Sequence, residues 1–160
     1  LYDLSEVGIP FDRVAPSATA RPQVWDIATV LRFAAVMGPL SSLFDLLTFG
    51  VLLLVFGASA EEFRTAWFLE SMATQILVIF VIRTSGRPWE DRASAALAGS
   101  SLAALAAALA LAFSPLGSWF GFQVPDLPIL FAIGLITLAY LAAVEAVKPW
   151  VVRPRRRIQG

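Results

Sequence analysis

Long apolar runs alternate with short polar stretches along this chain, and the runs share a common length. Residues 33–57 read FAAVMGPLSSLFDLLTFGVLLLVFG, with Asp45 as the single ionisable residue. Three further apolar runs cover about 65–82, 93–113 and 127–147. A helix of roughly 20 apolar residues crosses a hydrocarbon core about 30 Å thick, so each run is a candidate span. The pattern predicts an all-α membrane protein with a four-helix transmembrane domain over 33–147. The third run is rich in alanine, and its small residues Ala95, Gly99, Ala103 and Ala107 recur every four positions. That spacing predicts a face on which another helix backbone approaches closely; plain compositional bias is the alternative.

The polar stretches differ from one another. Pro10, Pro16 and Pro22 interrupt helical continuity before the first span. Residues 11–32 are therefore expected to form an ordered loop, with Trp25 at the membrane surface and a short interfacial helix starting near Asp26. Residues 1–10 are apolar but too short to cross a membrane. The opening Leu1-Tyr2-Asp3-Leu4-Ser5 reads as the end of an interrupted helix, and no signal peptide is visible.

Charge orients the spans. Arg13, Arg21 and Arg32 precede the first, Arg83, Arg87 and Arg92 lie between the second and third, and Lys148, Arg153, Arg155, Arg156 and Arg157 follow the fourth. Of the twelve basic residues only Arg64 falls in the other two loops, beside Glu61, Glu62 and Asp126. The positive-inside rule puts both chain ends and the middle loop in the cytoplasm, and an even number of spans requires the ends to share a side. Residues 148–160 are expected to form a basic cytoplasmic tail, chiefly an orientation signal, though also suited to anionic lipid head groups.

Composition narrows the chemistry. The 160 residues are 58% hydrophobic and 15% charged, against about 25% charged in soluble domains. There is no cysteine and no histidine, which excludes disulfides, thiolate chemistry, Cys/His metal sites and Ser-His-Asp catalysis.

What remains is oxygen chemistry inside the spans. A carboxylate at bilayer depth costs about 2.5–3.5 kcal/mol on insertion scales, so Asp45 is paired or functional. Ser41 and Ser42 lie four and three residues before it, on the same helix face, within reach of its carboxylate. One reading makes Asp45 an ion or proton site; the other makes it a structural polar group. Gly38-Pro39 is expected to kink or open the helix nearby. Glu70 is expected to snorkel from the outer end of the second span. Gln75 lies too deep for that and must bond another helix or line a polar pathway. Glu145 and Lys148 form an ordinary pair at the end of the fourth span.

Several stretches taken together resemble a known family. They are Leu1-Tyr2-Asp3-Leu4-Ser5, Ile9-Pro10-Phe11-Asp12, Arg21-Pro22-Gln23-Val24-Trp25-Asp26, Gly38-Pro39-Leu40-Ser41-Ser42-Leu43-Phe44-Asp45, Gln75, Ile82-Arg83-Thr84 and Phe113-Ser114-Pro115-Leu116. Their order and spacing resemble the carboxy-terminal membrane region of magnesium-importing P-type ATPases. On that resemblance the four spans are helices seven to ten of a ten-helix pump in the inner (plasma) membrane, and residues 1–10 are the end of helix six. Asp3 looks like the helix-six aspartate that ligates the transported ion, here Mg²⁺, and Gln75 like a weaker ligand from helix eight. No ligand role is carried to Asp45. A sparse site suits Mg²⁺, which keeps several waters and takes one or two carboxylates.

The chain contains no Asp-Lys-Thr-Gly motif, and Lys148 is its only lysine. ATP would act only through phosphorylation and nucleotide domains elsewhere in the pump, and the expected partners are helices one to six, those domains and the bilayer, with no nucleic acid. Catalytic residues are not expected here. The competing readings are a four-span accessory protein and a small cation channel or exchanger with Asp45 in its pathway.

Overall fold

The computed structural model describes residues 2–11, 27–83 and 93–151. The expected loop structure of residues 12–26, Trp25 included, and the basic tail from Arg153 onward lie outside the described residues. A five-residue helix α1 (Tyr2–Glu6) and a 3-10 turn (Ile9–Phe11) come first. Four long helices follow: α2 (Ile27–Gly50, continued by a π-helical turn over Val51–Val55), α3 (Ala60–Ile82), α4 (Ala95–Phe113) and α5 (Leu127–Val151). A 3-10 segment, Pro115–Phe120, links α4 to α5. No strand occurs among the described residues. All four long helices are apolar enough to cross a membrane, and only structures that satisfy their own backbone hydrogen bonds do so.

The helix boundaries follow local chemistry. Ser59 caps α3: its hydroxyl accepts from the Glu62 N–H, and the Glu62 carboxylate accepts from the Ser59 N–H at 3.0 Å. This capping box starts the helix at Ala60, five residues before the apolar run predicts. Ser94 caps α4 through the Leu97 N–H at 3.1 Å. α2 runs unbroken through Pro39. Its departure from α geometry comes instead at Val51–Val55, where the Phe56 N–H bonds the Val51 carbonyl five residues back. α5 likewise continues through Pro149.

Packing is centred on α3. Half of its apolar window is buried, against 11% of the window of α2. Lipid chains are as apolar as leucine, so close contact rather than water exclusion holds such helices together. Small side chains supply it: Ala66 on α3 and Ala104 and Ala108 on α4 are fully buried. Leu52, Ala66, Leu69, Ala112, Ile129 and Ile133 form one layer. Met72 and Ile76 pack on Ala104 and Ala108 in a second. Val81, Tyr140 and Val144 form a third, covered by Met37, Leu40 and Phe44 of α2. Among the described residues the four-residue stripe of small residues is not the packed face of α4. Ala95, Gly99 and Ala103 are exposed, and the buried face is Leu97, Ser101, Ala104, Ala108 and Ala112.

The two ends of the bundle are tied separately. At one end the Arg64 guanidinium donates to the Gly121 carbonyl at 3.0 Å, and Thr65 Oγ1 accepts from the Gln123 N–H at 2.9 Å. At the other, Lys148 Nζ donates to the Val81 carbonyl at 2.8 Å and pairs with Glu145 at 3.3 Å. Lys148 therefore belongs to the interior, 4% exposed, rather than to a solvated tail. These ties place the C-termini of the second and fourth spans together, as an even-numbered bundle requires.

Candidate functional site

Asp3 stands exposed on α1, a short segment held close to α4. A Cβ on Gly8 would lie 2.5 Å from the Leu97 Cα and 2.7 Å from the Ala96 carbonyl oxygen, so only glycine permits this approach. Ser100 Oγ donates to the Ser5 carbonyl at 2.9 Å beside it. Gln75 is exposed on α3. It stands five residues past Glu70, about 140° around the helix at roughly 3.6 residues per turn, so the two point to different neighbours. Among the described residues no group of three or more acidic side chains is arranged to hold a metal ion. Asp3 and Gln75 thus present oxygens at the surface of the bundle rather than closing a cage within it.

Asp45, Ser41 and Ser42 have different surroundings from those the spacing predicts. No hydrogen bond joins either serine to Asp45 among the described residues. Ser42 is exposed, while the Ser41 hydroxyl is matched with the Tyr140 phenol of α5. Phe44 packs edge-on against the Tyr140 ring, with centroids 5.4 Å apart, which holds this stretch of α2 against α5. Asp45 is half-buried and lies within electrostatic reach of both Tyr140 and Glu70.

Glu70 corrects the snorkelling expectation. It is 2% exposed, and its Oε2 has no hydrogen-bond partner among the described residues. The early start of α3 explains the difference. Ten residues beyond Ala60, Glu70 lies about 15 Å from that helix end at roughly 1.5 Å per residue, and there neighbouring helices enclose its side chain. Asp45 lies ten residues before Val55, at about the same depth. Among the described residues, Glu70 and Thr137 are also the only polar side chains lining a cavity of about 640 Å³ between α3, α4 and α5, whose other walls include Leu69, Leu105, Phe113 and Phe131. Sequence spacing alone cannot pair residues on different helices. The available signal is a second lone carboxylate in a neighbouring span.

Residues 2–150 match the family model described as "Cation transporting ATPase, C-terminus". The chain belongs to that family, as a multi-pass membrane region built from its last helices. It is similar over 160 residues to proteins named "Magnesium-transporting ATPase, P-type 1": 36% identical to one from Salmonella typhimurium strain LT2 and 35% to one from Escherichia coli K12. A second from Salmonella typhimurium LT2 is 29% identical. Each match covers 96% of this chain and 17–18% of the relative, so the chain spans under a fifth of the length of these relatives.

Proposed function

We propose that this chain is the carboxy-terminal membrane support region of a P-type ATPase that couples ATP hydrolysis to Mg²⁺ import across the inner (plasma) membrane. The remainder of the pump, with its first six helices and its phosphorylation and nucleotide domains, would be its partner. The basic loops favour cytoplasmic chain ends. In this reading α1 is the cytoplasmic end of helix six, Asp3 is a ligand of the transported ion, and Gln75 is a weaker one.

The observation that carries the reading is the seat of α1 on α4 at Gly8. Backbone-to-backbone contact of that kind lets a four-helix unit hold the end of an ion-binding helix in place. Both candidate ligands are exposed on this bundle, as residues facing the rest of a pump must be. Helices seven to ten would then brace the moving core while contributing little of the ion's coordination shell.

The test is Asp3→Asn in the full-length transporter, assayed for Mg²⁺-stimulated ATP hydrolysis and Mg²⁺ affinity. A sharp loss of both is expected. Wild-type affinity and turnover would remove Asp3 from the site.

A further inference from the structure

Among the described residues, three buried side-chain oxygens lack partners: Thr48 Oγ1, Glu70 Oε2 and Ser101 Oγ. Two of them surround Asp45. Thr48 follows it by three residues, on the same face of α2, and is fully buried. Glu70 faces it from α3 at matching depth. Two carboxylates within electrostatic reach of each other in a medium of low polarity repel when both are ionised.

Nothing nearby offsets that repulsion. α4 carries no ionisable residue between Ala95 and Phe113. The titratable group that α5 brings to the pair is Tyr140. The described basic side chains, Arg32 of α2, Arg64 of α3, Arg83 just past α3 and Lys148 of α5, lie toward helix ends, with Arg64 and Lys148 bound to backbone carbonyls there. The two hydroxyls that α3 and α5 bring near Glu70 are already committed. Thr74 Oγ1 donates to the Glu70 carbonyl at 3.0 Å, and Thr137 Oγ1 donates to the Ile133 carbonyl at 2.9 Å. A hydroxyl has one proton to give, so an ionised Glu70 would leave Oε2 as a bare buried anion, whereas a bound proton neutralises it.

We propose that Asp45 and Glu70 together bind a single proton, carried on the Glu70 carboxyl group, in a membrane-embedded site between α2, α3 and α5. The site is separate from Asp3 and Gln75 and does not depend on the transport reading. Binding forms one carboxyl O–H bond, and release breaks it and returns the proton to solvent; no other reactant takes part. The charge of Asp45 therefore bears on the proton that Glu70 carries.

Infrared difference spectroscopy on the protein as encoded, in lipid nanodiscs at neutral pH and free of divalent metal, tests this. A carbonyl stretch from a protonated carboxyl is expected in the wild type, absent in Glu70→Gln and shifted in Asp45→Asn. Should Glu70→Gln fail to accumulate, glutamate labelled with ¹³C at the side-chain carboxyl makes the same assignment in the unaltered protein, by moving the band. Carboxylate bands alone would overturn the proposal, as would a protonated band that the label leaves in place. A band bleached by added Mg²⁺ or Na⁺ would make this a cation site and also overturn it. A band indifferent to Asp45→Asn would dissolve the pair.

Discussion

Lys148 of α5 reaches across to the last turn of α3 and donates to the Val81 carbonyl at 2.8 Å, while its own helix supplies Glu145 as counter-ion. A helix C-terminus leaves carbonyls without intrahelical partners and carries partial negative charge, so a buried ammonium serves both needs. Lys148→Met keeps most of the stem and removes the donor. It is expected to cost about 1–3 kcal/mol, since the carbonyl and Glu145 both lose a partner. Reversible unfolding in detergent measures this, and a change under about 0.5 kcal/mol, the size of an ordinary surface substitution, would show that the tie is incidental.

Gly8 predicts a geometric effect. In Gly8→Ala the new methyl meets the backbone at Leu97 and Ala96, which cannot rotate away. α1 should lift from α4 and break the Ser100–Ser5 bond. Spin labels on cysteines introduced at Leu4 and Leu102, both exposed, would report a longer and broader distance in a chain that has no native cysteine. Gly99→Ala, whose methyl enters open space, should leave the distance unchanged. Equal behaviour of the two variants would refute the seat.

At the opposite end, Gly121 has φ +68° and its missing Cβ position is filled by the Arg64 guanidinium. Gly121→Ala is expected to lose about 1–2 kcal/mol from the left-handed backbone alone, and its methyl also pushes the guanidinium off the carbonyl it binds. Arg64→Ala removes that hydrogen bond by itself. The double variant should therefore be less destabilised than the two singles added together. Strict additivity in unfolding measurements would mean that the two residues do not act on one another.

Gln75 separates stability from transport. It is exposed on the bundle, so Gln75→Leu should change the stability of this chain by no more than about 0.5 kcal/mol. In the full transporter it is expected to weaken Mg²⁺ affinity. Marked destabilisation of the chain, or unaltered affinity in the transporter, would each count against a surface ligand.

The spans are legible in the sequence because apolar run length maps directly onto helix length. Their ends are less so: Ser59 and Glu62 start α3 within a polar stretch, where hydropathy is silent but capping chemistry is not. That offset hides the depth of Glu70. The repeat of small residues on α4 identifies a small-residue helix but not the face packed among the described residues, because two faces of an Ala-rich helix differ little in sequence. Lys148 reads as part of the tail because its partner carbonyl lies 67 residues away on another helix. Contacts between helices, which build the Asp45–Glu70–Tyr140 cluster, have no local signature at all.

Fastening α3 at both of its ends has a mechanical result. N–H···O hydrogen bonds hold donor and acceptor within about 2.7–3.2 Å, so sliding α3 along its axis by even a fraction of the roughly 5.4 Å turn would break the Arg64 and Thr65 contacts at one end or the Lys148 contact at the other. The helix is thereby denied the ratchet-like translation open to loosely packed neighbours. Movement reaching it from outside must be taken up by tilting α3, α5 and the α4–α5 loop as one block.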